Sequence, residues 1–123
     1  NWPAAKMAAG GDAMLIRVLD AFAGGELIAE RRRLGHDRHD EVWDGVYVMA
    51  PPPNVDHQEL AGKFCRIFAA ALPDRRRDRV TPGAAVSDRL ADWEHDYRVP
   101  DVSVVLAGGR AVDRRTHWQG GPD

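Results

Sequence analysis

The sequence predicts an α+β domain. Three observations lead there. The stretch Asp56–Leu72 carries apolar residues at Leu60, Ala61, Phe64, Ile67, Phe68, Ala71 and Leu72, the spacing of an amphipathic helix. Glu41 to Met49 places β-forming residues on both sides of Asp44-Gly45, a strong hairpin signal. Val102, Val104 and Leu106 alternate within Arg98–Leu106, the period of a strand.

The remaining elements fall between these. Asn1 to Gly11 is rich in Ala and Gly. Asp12 then precedes Met14, Leu15, Val18, Leu19 and Phe22, which predicts a helix capped by Asp12 and ended by Gly24-Gly25. A second, short helix is predicted over Glu26 to Arg33, with Arg31-Arg32-Arg33 near its C-terminus, where cations suit the helix dipole. Leu34 to Asp40 reads as a polar loop. Pro51-Pro52-Pro53 stops the hairpin, because proline has no N–H to donate. Asn54 or Asp56 can cap the central helix, of about 16 residues by its periodicity, and Pro73 ends it. Asp74 to Arg79 is a charged connection. Val80 to Arg89 reads as one extended stretch with Val80, Ala84, Val86 and Leu90 inward. Ala91 to Asp96 is an acidic loop, and everything after Gly108-Gly109 reads as loop.

Composition narrows the function. The chain has 123 residues, enough for one domain or a piece of one. Apolar residues at 44% and charged residues at 29% argue against disorder. A net charge of −2 excludes a polycation that coats nucleic acid, so any DNA contact must come from a local patch. The single cysteine, Cys65, cannot form an intrachain disulfide, which fits a cytoplasmic location. No apolar run approaches the roughly 20 residues of a membrane span, and no signal peptide is visible. The start at Asn1 and the turn chemistry of Gly120-Gly121-Pro122-Asp123 read as cut ends. The other reading is a natural terminus in a loose tail.

Three separated segments carry a family resemblance. The first is Arg31-Arg32-Arg33-Leu34-Gly35 followed by Asp40 to Met49. The second is Pro51-Pro52-Pro53-Asn54 with His57-Gln58. The third is Tyr97-Arg98-Val99-Pro100-Asp101-Val102, followed later by Gly120-Gly121-Pro122-Asp123. In this order and spacing the chain resembles the Uma2 family, whose fold is similar to the αβββαβ core of PD-(D/E)XK restriction endonucleases. The resemblance covers residues 27–123, leaving 1–26 as an N-terminal extension with one helix. It implies that Asp56–Leu72 is the first core helix and that Val80–Arg89 and Arg98–Leu106 are the first two core strands. The helices and hairpin before them precede the core, and the chain is truncated before the third core strand. It further implies a Mg²⁺-dependent endonuclease acting on DNA, with Pro100-Asp101 as the "PD" of the signature. The family continues into a strand with Val-Glu-Val, then Ser-Pro and a lysine, so the expectation is an inactive fragment.

Hydrolysing a phosphodiester brings hydroxide to a charged group, and Mg²⁺ assists by acidifying water and neutralising charge. Asp101 is the first candidate. A carboxylate among alternating apolar residues needs a partner or a metal, or else faces solvent as Ser103 would in the same register. The resemblance favours catalysis and metal binding at Asp101. His57, at a helix N-terminus, suits a phosphate or metal; otherwise it bonds the preceding Pro-rich loop. The resemblance favours a catalytic His57. Glu41 is a candidate second metal ligand or a structural side chain, and Asp44 belongs to the turn. Family members often have Asp-Gly-Glu where this chain has Asp44-Gly45-Val46, which removes one acidic position.

Arg31, Arg32, Arg75, Arg76 and Arg98 are candidate phosphate contacts, with solvated surface as the alternative. Arg98 is also a candidate partner for Asp101. His36, His39 and Asp40 offer a weak zinc pattern with no cysteine pair nearby. Cys65 lies among Leu60, Phe64 and Phe68 and reads as core rather than as a nucleophile. Gly108-Gly109 lacks the rest of a phosphate-binding loop. A rival function is a non-catalytic nucleic-acid or protein binding module on the same fold. A core lacking a strand would leave Val102, Val104 and the helix face half covered, so the chain is expected to be marginal in stability or a homodimer.

Overall fold

A computed structural model describes residues 17–20 and 24–123. In chain order the elements are β1 (Arg17–Asp20), α1 (Gly25–Leu34), β2 (Glu41–Trp43), β3 (Val46–Met49), α2 (Val55–Ala71), β4 (Arg79–Pro82), β5 (Val86–Ser87), a 3-10 turn (Trp93–His95), β6 (Val102–Val105), β7 (Val112–Asp113) and β8 (Trp118–Gln119). The fold is α+β, with two α-helices and three small sheets among the described residues.

The hairpin forms where the Asp-Gly pair predicts it. Asp44 and Gly45 both take positive φ, 48° and 82°, the twist that lets a two-residue turn join antiparallel strands. β3 is then central, with β2 on one side and β1 on the other. β1 corrects the expectation of a helix from Asp12. Val18 and Leu19 pair antiparallel with Val48 and Tyr47. Four residues of ambiguous spacing follow the strand that offers them backbone partners, because tertiary context overrides a short local pattern. The rest of the expected helix lies outside the described residues. Gly24, expected to end that helix, instead precedes α1, whose Ile28 N–H donates to Gly24 O at 2.9 Å.

Ile28 of α1 packs with Val42, Tyr47 and Met49 in the main apolar cluster, against which Tyr97 lies. A buried ion pair fixes α1 to the hairpin. Arg31 donates from Nε to Asp40 Oδ2 and from Nη2 to Asp40 Oδ1, both at 2.7 Å. Tyr47 Oη donates to Asp40 Oδ2 at 2.8 Å and Ala50 N–H to Asp40 Oδ1 at 2.9 Å. Asp40 is thus fully enclosed yet bonded at both oxygens, the condition under which a buried carboxylate is tolerated.

α2 begins at Asn54, as one of the two capping options required, and its C-terminal turn closes when Leu72 N–H donates to Phe68 O at 3.0 Å. The helix packs on β4 and β6, which pair antiparallel with Val80 opposite Val104 and Pro82 opposite Val102. The single extended stretch expected over Val80–Arg89 divides at Gly83. β4 goes to β6, while β5 pairs parallel with β8, which pairs antiparallel with β7. The sequence after Gly108 therefore holds two strands where only loop was expected. Each is two residues long, too short to show a period. Leu90, expected inward, is 86% exposed.

Ser103, expected to face solvent, is instead enclosed. Ser103 and Val105 are buried, while Val102 and Val104 are half-buried and border an open cavity beside α2. Apolar alternation marks a strand, but the face that is covered depends on what packs there. Tyr97 and Arg98 bridge Val42 and Val86 respectively, so this segment links the hairpin sheet to the β5–β8–β7 sheet. Trp118 Nε1 donates to Thr81 Oγ1 at 2.9 Å and ties that sheet to β4.

Candidate functional site

The first turn of α2 is set by Asn54, in extended conformation, whose Oδ1 accepts from His57 N–H at 2.8 Å. This fixes the backbone of His57. Across from it, Pro100-Asp101 leads into β6. Gly83 N–H donates to Asp101 O at 3.3 Å, and β4 pairs with the next residue, Val102. The result is a meeting of two residues 44 apart in sequence: His57 Nε2 lies 2.8 Å from Asp101 Oδ1. Their side chains are 43% and 61% exposed, so the pair is open to a substrate.

The pair lines an apolar groove. A cavity of about 310 Å³ is lined by His57, Leu60, Ala61, Phe64, Phe68, Asp101 and Val102. Phe68 and Val102 also border a second cavity of about 570 Å³, which reaches Glu41, Arg98, Pro100 and Asp123. Phe64 and Phe68 stack with ring centroids 5.8 Å apart and form the helix wall.

The other candidates are placed differently. Glu41 does not reach outward with both oxygens open. Its Oε1 accepts from Val99 N–H at 2.7 Å and its Oε2 from Trp43 Nε1 at 2.6 Å. Arg98 pairs with Asp96 rather than with Asp101: its Nη1 donates to Asp96 Oδ1 at 3.1 Å and to Val42 O at 3.0 Å. Residues three apart on an extended segment face opposite ways, which separates Arg98 from Asp101. The Asp44 N–H first, and the Arg98 guanidinium second, hold the Asp96 carboxyl below its ordinary range. The Arg98 guanidinium also lies over the Trp43 ring, 4.8 Å from its centroid. Arg31, expected among the phosphate contacts, directs Nε and Nη2 at Asp40 instead. Arg32 and Arg76 are exposed, and Arg75 is exposed with Nη2 donating to Ala70 O at 3.0 Å.

Asp123 borders the larger cavity and was not singled out as a site residue by sequence. Its N–H donates to Val104 O and its Oδ2 accepts from Leu106 N–H, each at 2.9 Å. The only signal for it was its place in the Gly-Gly-Pro-Asp segment.

A family model, Uma2, described as "Putative restriction endonuclease", matches residues 28–123, well over half of the sequence. The chain belongs to the Uma2 family. None of the curated proteins and none of the solved structures compared with it matches. His57, Asp101, Glu41, Arg98 and Asp123 all fall inside the span matched to Uma2. Among the described residues no helix is long and apolar enough to cross a membrane.

Mg²⁺ takes one or two carboxylates and completes its shell with water and phosphate. Asp101 fits as one such ligand, because its carboxylate is exposed at the mouth of a groove. Glu41 is less open, since each of its oxygens already accepts a hydrogen bond, from Trp43 Nε1 and from Val99 N–H. Among the described residues no group of three or more His, Cys, Asp and Glu is placed to hold a metal. Among the described residues this Uma2 chain thus places one exposed carboxylate beside an imidazole rather than a full ligand set.

Proposed function

We propose that this Uma2 domain belongs to an endonuclease that hydrolyses phosphodiester bonds in DNA, with Asp101 and His57 at the working centre. The observation that carries this reading is the 2.8 Å contact between His57 Nε2 and Asp101 Oδ1, exposed side chains that line the groove. A carboxylate bound to one imidazole nitrogen orients the ring and leaves the other nitrogen to face the substrate. His57 would meet a phosphate oxygen or carry a proton to or from the reacting group. His57 stands in the first turn of α2, where the helix dipole favours an anion. The groove wall of Leu60 and Phe64 displaces water from one side of the pair. Mg²⁺, held by Asp101, would supply a more acidic water and neutralise charge. Arg32, Arg75 and Arg76 are exposed and would meet the DNA backbone by charge.

In this reading α2 is the first core helix and β4 and β6 are the first two core strands. The packing of α2 on an antiparallel β4–β6 pair supports it. A second reading, a binding module without catalysis, draws on the exposed α2 residues Leu60 and Ile67, because an exposed apolar patch suits a partner. Incubating supercoiled plasmid with the full-length protein that carries this domain separates the two. Nicked or linear product with Mg²⁺, and none with EDTA, is the expected result. Retention of the plasmid without any cleavage would leave only the binding module.

A further inference from the structure

We propose that Glu41 is a positioning residue for the Asp101–His57 pair and not a metal ligand. The segment that delivers Asp101 runs from Tyr97 to Pro100, and its backbone pairs through two isolated bridges, Tyr97 to Val42 and Arg98 to Val86. Pro100 has no N–H, so Val99 N–H is the last backbone donor before Asp101. That donor goes to Glu41 Oε1 at 2.7 Å, a charge-assisted bond. Beyond Pro100 the next tie is the longer bond from Gly83 N–H to Asp101 O, at 3.3 Å. The grip of Glu41 therefore decides where the chain enters Asp101.

Glu41 is itself held on three sides. Its backbone lies in β2 opposite Val48. Trp43 Nε1 donates to Oε2 at 2.6 Å, and the Arg98 guanidinium covers the Trp43 ring. Glu41, Trp43, Arg98 and Val99 form a closed circuit in which each side chain limits the next. A cation at Glu41 would have to share two oxygens that already accept from Val99 N–H and Trp43 Nε1, and would compete for the anchor of the Asp101 segment.

Calling the pair an active centre rests on the nuclease reading above, whereas the geometric part of the claim does not. The experiment is NMR of the ¹⁵N-labelled protein, compared with Glu41→Ala and Glu41→Gln and paired with plasmid cleavage by the full-length protein that carries this domain and the same substitutions. In Glu41→Ala the Val99 amide should exchange with solvent about tenfold faster or more, and the His57 ring nitrogens and the Asp101 amide should shift. Cleavage should fall about a hundredfold, the effect of a small misplacement of reacting groups. Glutamine keeps an acceptor for Val99, so Glu41→Gln should restore Val99 protection and most of the lost rate. The Asp101 amide should respond to Mg²⁺ in that variant as in the parent. Equal loss of the Mg²⁺ response in both variants, or unmoved His57 and Asp101 signals in Glu41→Ala, overturns the proposal. Should the alanine variant fail to fold, protection of Val99 and the Mg²⁺ response in Glu41→Gln decide the matter. Absence of cleavage in the parent protein would count against the nuclease reading alone, since the NMR signals are read independently of it.

Discussion

Asp40 and Asp101 are both carboxylates, and their settings assign them opposite tasks. Asp40 is enclosed and accepts from Arg31, Tyr47 and Ala50, while Asp101 is 61% exposed and touches His57. Removing one partner of a buried pair strands the other charge. Arg31→Ala should therefore lower stability by about 3 kcal/mol in urea melts, far more than Arg32→Ala on the exposed side of the same helix. Tyr47 gives a pH signature. Burial first, and the hydrogen bond to Asp40 second, push its phenol above the ordinary 10.0. The unfolded chain ionises this phenol near pH 10 while the folded protein keeps the proton. The contribution is thus complete below that pH and is lost as pH climbs toward the raised value. Stability should decline above pH 10 by about 1 kcal/mol per pH unit for this one group. Tyr47→Phe should start lower and decline less steeply, as thermal melts across pH 9 to 11 would register. Sequence could not rank these residues. Asp40 sat beside His36 and His39 and suggested a weak zinc pattern, because the partners that explain it, Arg31 and Tyr47, are reached only through the fold.

Local elements were legible to the extent that their causes were local. The Asp44-Gly45 turn carries its own conformational requirement, and α2 carries four turns of apolar periodicity with a cap. Asn54→Ala should cost about 1 kcal/mol through loss of the bond to His57 N–H. It should also shift the His57 amide in NMR spectra, whereas Asp56→Ala in the same turn should leave that bond intact. Elements whose partners are distant escaped. β5 and β8 are two residues each and pair across some thirty residues of chain. β1 took strand form because β3 offered it an edge. Asp101 and His57 were legible through the family pattern, yet their contact was not, since it depends on how β6 aligns with β4 and on the start of α2.

Across the whole molecule, apolar residues are distributed unlike a simple inside-outside pattern. No residue of α2 is fully buried, and Leu60, Ile67 and Phe64 are 54%, 59% and 43% exposed. Val105 is 5% exposed. Sequence periodicity alone places Ile67 on the apolar helix face and leaves Val105 out of phase with Val102, Val104 and Leu106. The structure orders them differently: Val105→Ala should cost about 2 kcal/mol, and Ile67→Ser about 0.5 kcal/mol or less, as paired urea melts would show. The same uncovered helix face forms the groove wall beside Asp101, so the molecule presents its apolar surface where the proposed chemistry lies.

The most direct test of that chemistry is the rate of plasmid cleavage in Mg²⁺ by the full-length parent protein that carries this domain and by its Asp101→Asn and His57→Gln variants, with folding verified by circular dichroism. Both side chains are exposed, so both variants should fold with unchanged melts. Each should cleave at least about a hundredfold more slowly, the scale of a lost acid–base or metal-binding group. The double variant should be little worse than either single one, because the two act as a unit. Cleavage at the parent rate by well-folded Asp101→Asn would contradict the assignment of the centre to Asp101 and His57.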